Sequence, residues 1–359
     1  MGKPLRLLVA TWDGAGNLVP VLALVDALVR RGHTVHVLAH DVQKASIEAA
    51  GGAFLRFGIA AQIDHGRSQS LGDNPIDSLM ALDADVSGDL LAASERLAPD
   101  ALLVDCMLPS TLRASKGTGR PTVALVHALY GVFTVYANGT FRGPIDEADL
   151  ALGFTYAALD DADAVLDNFV FVGPARLPAA AARWTRRRPG VPFVVASLST
   201  GLQGKPGTQQ ALLQRLCDAL APLDIEALIT TGRGIAPESV TAGPSTIVAR
   251  FASHELVLPQ ADLFITHAGH GSVTAGLAAG TPMLCLPPGA DQPFNAARIA
   301  RLGLGETLDP ASPSALIGQT AMRMLADADL RQRLRDFAAS AAHHPGIELA
   351  VARLEELVA

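Results

Sequence analysis

The 359-residue chain has only three cysteines, none at metal-ligand spacing. Cys106, Cys217 and Cys285 lie in apolar contexts, which argues against a disulfide framework or a zinc ribbon. Buried, reduced thiols are expected. Basic charge is also short: 28 Lys and Arg against 35 Asp and Glu leave a net charge of −7, with no basic face for nucleic acid. No apolar run approaches the roughly 20 residues of a membrane span. Residues 7–10, behind Lys3 and Arg6, are too short for a signal-peptide core, so a cytoplasmic protein is expected. There is no short-period repeat and no carboxylate cluster suited to Mg²⁺.

What is present is a packed α/β composition, 49% hydrophobic and 18% charged. The length favours two domains over one. Residues 5–10 and 34–39 have strand patterns and flank a helical period at 18–31, a βαβ opening that implies a parallel sheet. Further strands are expected at 101–105 and 121–126, with a short helix between them, and at 169–174. Residues 66–88 are polar and irregular: either a loop region bordering an acceptor pocket or an ordinary surface helix pair. Ala-, Arg- and Pro-rich sequence then reads as a linker over 176–190, in which Arg183, Arg186, Arg187 and Arg188 are expected to be solvated. The pattern restarts with strands at 192–199, 225–230, 246–251, 262–266 and 282–286 and a helix at 209–220. Two doubly wound domains follow, 1–175 and 191–359. Such pairs bind ligands in a cleft at the carboxyl ends of the strands.

The densest chemistry is at residues 267–272, His-Ala-Gly-His-Gly-Ser, between a buried strand and a helix start. Glycines let the backbone approach a ligand, and helix N–H groups favour an anion, so this loop reads as a phosphate seat with Ser272 as the helix N-cap. Asp291 and Gln292 follow another strand and offer a carboxylate and an amide to a polyol. Asn295 lies one turn on. Phe251 can stack on a flat base, with backbone groups of Ala252 and Ser253 at the base's edge.

Together these segments, from Phe251-Ala-Ser-His254 through Leu258-Pro259-Gln260, His267, Gly269, Gly271-Ser272, Gly280-Thr-Pro282 and Pro287 to Asp291-Gln292 and Asn295, resemble the nucleotide-sugar signature of inverting GT-B glycosyltransferases. The nearest likeness is to the bacterial antibiotic and natural-product enzymes. The resemblance implies two Rossmann-like domains facing a central cleft, with the last helix free to pack back on the first domain. It implies that Phe251 stands at the base-stacking position usually held by tryptophan. His267, Gly269, Gly271 and Ser272 would hold the diphosphate, Ser199 and Thr200 would touch it from the other side, and Asp291 and Gln292 would hold the sugar. Ala275 stands where UDP-glucose enzymes often place a ribose-binding glutamate, which favours a dTDP-sugar over a UDP-sugar.

The opening loop departs from the family. Three residues before Pro20, where the resemblance implies a catalytic histidine or aspartate, stands Asn17, and an amide cannot accept the proton. Asp13, Asp105 and His127 are the replacements, in that order, with Asn17 as a hydrogen-bonding helper to the acceptor. The expectation is a metal-independent transferase without cofactor, acting on a hydrophobic small molecule by O-, C- or N-glycosylation, with a homodimer left open. A non-catalytic partner protein and a nucleotide-sugar epimerase are the alternatives.

Overall fold

The computed structural model describes residues 3–14, 16–63, 75–134, 136–160, 165–175, 184–198 and 207–359. They form two compact units: the first holds the described residues up to 175 together with 344–359, the second those from 184 to 343.

The first unit is built on a seven-stranded parallel sheet. Its strands are β1 (Arg6–Ala10), β2 (Thr34–Ala39), β3 (Ala53–Arg56), β4 (Ala101–Asp105), β5 (Thr122–Val126), β6 (Leu150–Gly153) and β7 (Phe169–Phe171), in the order β3-β2-β1-β4-β5-β6-β7. Every residue of β4 and β5 is buried, as continuous apolar strands covered by helices on both faces should be. Helix Leu18–Arg30 turns Val21, Leu24, Val25 and Leu28 inward at helical spacing. The last helix, Ile347–Val358, belongs to this unit and buries Ala350, Val351 and Leu354 in the same core. Arg31 pairs with its Glu355 at 2.8 Å. Of the polar stretch, residues 75–88 lie in one long helix, Pro75–Leu97, so these residues are not loop; the rest of the stretch up to residue 74 lies outside the described residues. Asp83 of that helix is fully buried and caps helix Pro109–Lys116, accepting from the N–H groups of Ser110 and Thr111 at 2.6 and 3.0 Å.

The second unit repeats the plan with β8 (Phe193–Ser197), β9 (Glu226–Thr230), β10 (Thr246–Ala249), β11 (Leu263–Thr266), β12 (Met283–Cys285) and β13 (Gly305–Thr307), in the order β10-β9-β8-β11-β12-β13. Arg187 and Arg188 are exposed, as expected of solvated residues, but Arg186 is not. The side chain of Arg186 is only 18% exposed, 3.5 Å from the buried Glu226 carboxylate, with its guanidinium over the Phe193 ring. The N–H groups of Arg187 and Arg188 donate to the same carboxylate at 2.9 and 2.8 Å. The Arg186 charge and these two backbone N–H groups offset the cost of a buried carboxylate. Residues 176–183, Arg183 among them, lie outside the described residues.

Both sheets reverse their strand order once, between β1 and β4 and between β8 and β11. Such reversals open a crevice at the carboxyl ends of the strands, where ligands of doubly wound sheets bind. At these ends stand residues 11–14, 16 and 17 after β1, Asp105 as the last residue of β4, Ser197 as the last of β8 with Leu198 after it, and His267 after β11. Topology alone therefore brings the chemically interesting residues to two points.

Candidate functional site

In the second unit, β11 ends at Thr266 and the chain passes through His267, Ala268 and Gly269 into helix His270–Ala279. The N-cap is Gly269, so Ser272 sits inside the first turn and is not the cap. The helix starts earlier than the serine suggests because Ala268 takes a left-handed φ of +64°, which turns the chain sharply. Few alanines adopt that conformation, and such strain gathers at ligand-holding loops. Gly269 is required by close approach: a Cβ there would lie 2.4 Å from His267 Nε2. At Gly271 a Cβ would meet nothing within 4 Å, so the helix start faces open space. The N–H groups of the first turn have no carbonyl to receive them within the helix, and they point outward with the positive end of the helix dipole.

His267 is 9% exposed. Burial drives its pKa down to about 4; the Ser197 backbone resists this and His254 adds to it. The imidazole is therefore neutral near pH 7 and offers one N–H, not a charge.

A second loop, after β12, stands beside the first. Ala290 is left-handed as well, at φ +55°, and Asp291 precedes helix Gln292–Arg301. Buried Asn295 ties the loops together, its Nδ2 donating to the Ala268 carbonyl at 3.0 Å and to the Asp291 carboxylate at 2.7 Å. Sequence reading gave Asn295 no role. Its motif position was visible, but the bridge spans two loops distant in the chain. Gln292 is 1% exposed and accepts from Gly289 N–H at 3.2 Å, so its amide is turned into its own loop. Phe251 lies just past β10 and is 73% exposed, a flat apolar ring left in water. Ser253 heads the short helix His254–Val257 and donates to Glu255 at 2.6 Å; Ala252 is half-buried between them. Ser199 and Thr200 lie outside the described residues.

The first unit gathers a different set. Asp105 ends β4 fully buried and accepts from four groups: Asn17 Nδ2 at 2.6 Å, Thr11 Oγ1 at 3.2 Å, the Met107 N–H at 3.0 Å and His127, whose Nε2 lies 2.9 Å from Oδ1. The register sets Asp105 opposite Leu125, so the chain leaving β5 carries His127 across the end of β4. Asn17 is turned inward, 2% exposed. Its Nδ2 also reaches the Trp12 carbonyl at 2.9 Å, and its Oδ1 accepts from Gly14 N–H at 3.1 Å. It is therefore a brace for Asp105 and not a hand extended to an acceptor. Asp13 is 3% exposed in the same loop.

Burial works to lower the His127 pKa, but the Asp105 charge and hydrogen bond, with the Cys106 thiol beside it, hold it well above the usual histidine value. Burial likewise works to raise Asp105, and His127, Asn17 and the Met107 amide outweigh it, holding the carboxyl below its ordinary range. Asp105, Cys106 and His127 also bring a carboxylate oxygen, a thiol sulfur and an imidazole nitrogen within 4.8 Å of one another, so these three could hold a metal ion. Counting cysteine spacings did not find this set, because its other two donors are a carboxylate and a histidine brought in by strand pairing.

Over residues 214–357 the chain matches the family described as erythromycin biosynthesis protein CIII-like, C-terminal domain. It is 24% identical over 377 residues to the NDP-glycosyltransferase YjiC of Bacillus subtilis (strain 168), covering 95% of this chain and 94% of that protein. Its fold superposes on the glycotransferase of kitacinnamycin with a TM-score of 0.83 at 22% identity, covering all of both chains. It also superposes on glycosyltransferase VinC, solved in complex with dTDP, with a TM-score of 0.72 at 18% identity and 99% coverage of each chain.

Proposed function

Given that the chain belongs to the GT-B glycosyltransferases of bacterial natural-product type, we propose that it transfers a sugar with inversion from a dTDP-linked donor to a hydrophobic small molecule. The second unit holds the donor. The open helix start at Gly271 and Ser272, with one N–H from neutral His267, takes the charge that grows on the diphosphate as the bond from the anomeric carbon to the phosphate oxygen breaks. Because the protein supplies these donors itself, the transfer runs without a metal. Asp291, held by Asn295, binds the sugar hydroxyls, and Phe251 stacks on the thymine. Ala275 supports dTDP over UDP, since it offers no acceptor to a ribose hydroxyl, and the dTDP complex of VinC shows this nucleotide on a similar fold.

The observation that carries the catalytic reading is the 2.9 Å contact between His127 and Asp105. Asp105 fixes the imidazole and stabilises the imidazolium, as an orienting carboxylate does for a histidine base. Above its raised pKa His127 is neutral, and the ring nitrogen turned away from Asp105 then takes the acceptor's proton while the acceptor atom bonds to the anomeric carbon. His127 thus stands in for the histidine missing at position 17, and Asn17 keeps only the hydrogen bond which that histidine would give to Asp105. We therefore rank His127 ahead of Asp13, because the Asp105 carboxylate orients the His127 ring.

His127→Gln should lower turnover of a dTDP-sugar by about a hundredfold or more, with donor affinity by calorimetry unchanged. Asp13→Asn should keep turnover within a few-fold. A fully active His127→Gln would sink the assignment, and a purified wild-type chain that binds dTDP-sugars yet neither transfers nor hydrolyses them would establish a non-catalytic partner.

A further inference from the structure

We propose that Asp105, Cys106 and His127 bind one zinc-type divalent cation, and that occupancy switches transfer off. The inhibitory half rests on the reading of His127 as the base. The three donor atoms lie within 4.8 Å of one another, and all three residues come from the ends of the neighbouring strands β4 and β5. Zinc bonds of about 2.0–2.3 Å place tetrahedral donors roughly 3.3–3.8 Å apart, so donors within 4.8 Å need draw together by at most roughly 1.5 Å. An imidazole, a thiolate and a carboxylate make a borderline-soft set, which selects zinc over magnesium or calcium. Asp105 is already seated by Asn17, Thr11 and the Met107 amide, the kind of outer support that metal-ligating carboxylates use. Among the described residues this is the one grouping of this sort.

The chemistry of inhibition follows from the tautomer. In the working state His127 Nε2 carries the hydrogen facing Asp105 Oδ1, and the other ring nitrogen keeps its lone pair for the acceptor. A cation between Nε2 and Oδ1 replaces that hydrogen, and the Cys106 thiol loses its proton to solvent as it ligates. The remaining proton of the neutral imidazole then sits on the other nitrogen, which can no longer accept one. Metal binding and base catalysis are mutually exclusive at one ring.

The test uses the full chain, with Co²⁺ as the spectroscopic probe and Zn²⁺ as the inhibitor. Titration with Co²⁺ should give a thiolate-to-metal charge-transfer band saturating at one equivalent, absent in Cys106→Ser and Cys106→Ala. Zn²⁺ should abolish turnover of a dTDP-sugar in the wild type. With inhibition normalised to each variant's own metal-free turnover, both cysteine variants should need at least about tenfold more Zn²⁺ for half-inhibition, the scale on which even outer-sphere losses weaken metal sites. Two variants are used because a hydroxyl and a methyl fill this buried site differently. A missing thiolate band, or equal Zn²⁺ sensitivity in both variants, overturns the proposal. A thiolate band without inhibition overturns its inhibitory half, whereas the role of His127 as base is judged separately by metal-free turnover of His127→Gln.

Discussion

Each unit carries a histidine just past a central strand, buried in the second unit and largely buried in the first, and the two are pushed in opposite directions. His267 in the second unit falls to about 4 because burial dominates. His127 in the first unit is raised well above the usual value because burial is outweighed by the Asp105 carboxylate. The sheets share a topology and a point of strand reversal, so the fold does not set the charge. One neighbour does. A neutral imidazole suits a site that must give a hydrogen bond to an anion. An imidazole leaning on a carboxylate suits one that must take and keep a proton.

The largest expected effect comes from making the two histidines alike. Asp105→Asn removes the charge that separates them. It should lower turnover by about a hundredfold or more, and it should destabilise the first unit by about 3–5 kcal/mol, since it breaks a buried pair and leaves four donors around a weaker acceptor. Chemical denaturation and dTDP-sugar turnover measure the two parts. Wild-type turnover in a folded Asp105→Asn would show that the pair is structural.

The next effect reads the second histidine through pH. Unfolded, His267 titrates near 6.5; folded, it titrates at about 4. Between those values the unfolded chain holds a proton that the folded chain does not, so stability falls as pH drops from 6.5 toward 4. At pH 5 the loss from this group is about 2 kcal/mol. His267→Gln should remove that share, so the stability gap between wild type and variant should shift by this amount between pH 7 and pH 5. A gap independent of pH would mean that the imidazole is already solvated.

These differences also mark what the sequence could tell. The doubly wound plan was legible because β1, β2, β4, β5, β8, β9 and β11 are apolar runs bounded by turns. β3, β6 and β13 have three or four residues each and carry no period long enough to see. The donor loop was legible as a string of glycines and a histidine, since its parts are contiguous. Its left-handed alanines, Ala268 and Ala290, were not, because no local rule places alanine there. The misplaced cap at Ser272 has the same origin. In the first unit Asn17 flagged the missing base, but its replacement depends on which strand lies beside β4. That is a long-range fact, and loop position alone pointed to Asp13.

A smaller effect tests whether the base has moved or merely been lost. Asn17→His restores the histidine beside Asp105 from the other side. In the wild-type background it should change little, because His127 already serves. In His127→Gln it should recover turnover by about tenfold, part of what a positioned base supplies. Asn17 Nδ2 and His127 Nε2 reach the two oxygens of one carboxylate, at 2.6 and 2.9 Å, so the carboxylate can orient either ring. No recovery would mean that position 17 no longer addresses the acceptor in this chain.

The smallest expected effect lies in the second unit. Ala275 stands half-buried in helix His270–Ala279, three residues after Ser272 and four after Gly271, so all three share a helix face. Ala275→Glu adds a carboxylate to the face whose first turn opens on space. A ribose with both hydroxyls can donate to it twice, whereas a deoxyribose lacks one of the two donors. A hydrogen bond to a charged group contributes about 1.5–3 kcal/mol, less the cost of ordering a flexible side chain. The variant should therefore move the ratio of UDP-sugar to dTDP-sugar affinity toward UDP by about tenfold, read by calorimetry with both donors. If the ratio stays put while the helix remains folded, Ala275 does not face the ribose, and the preference for dTDP loses its support in this chain.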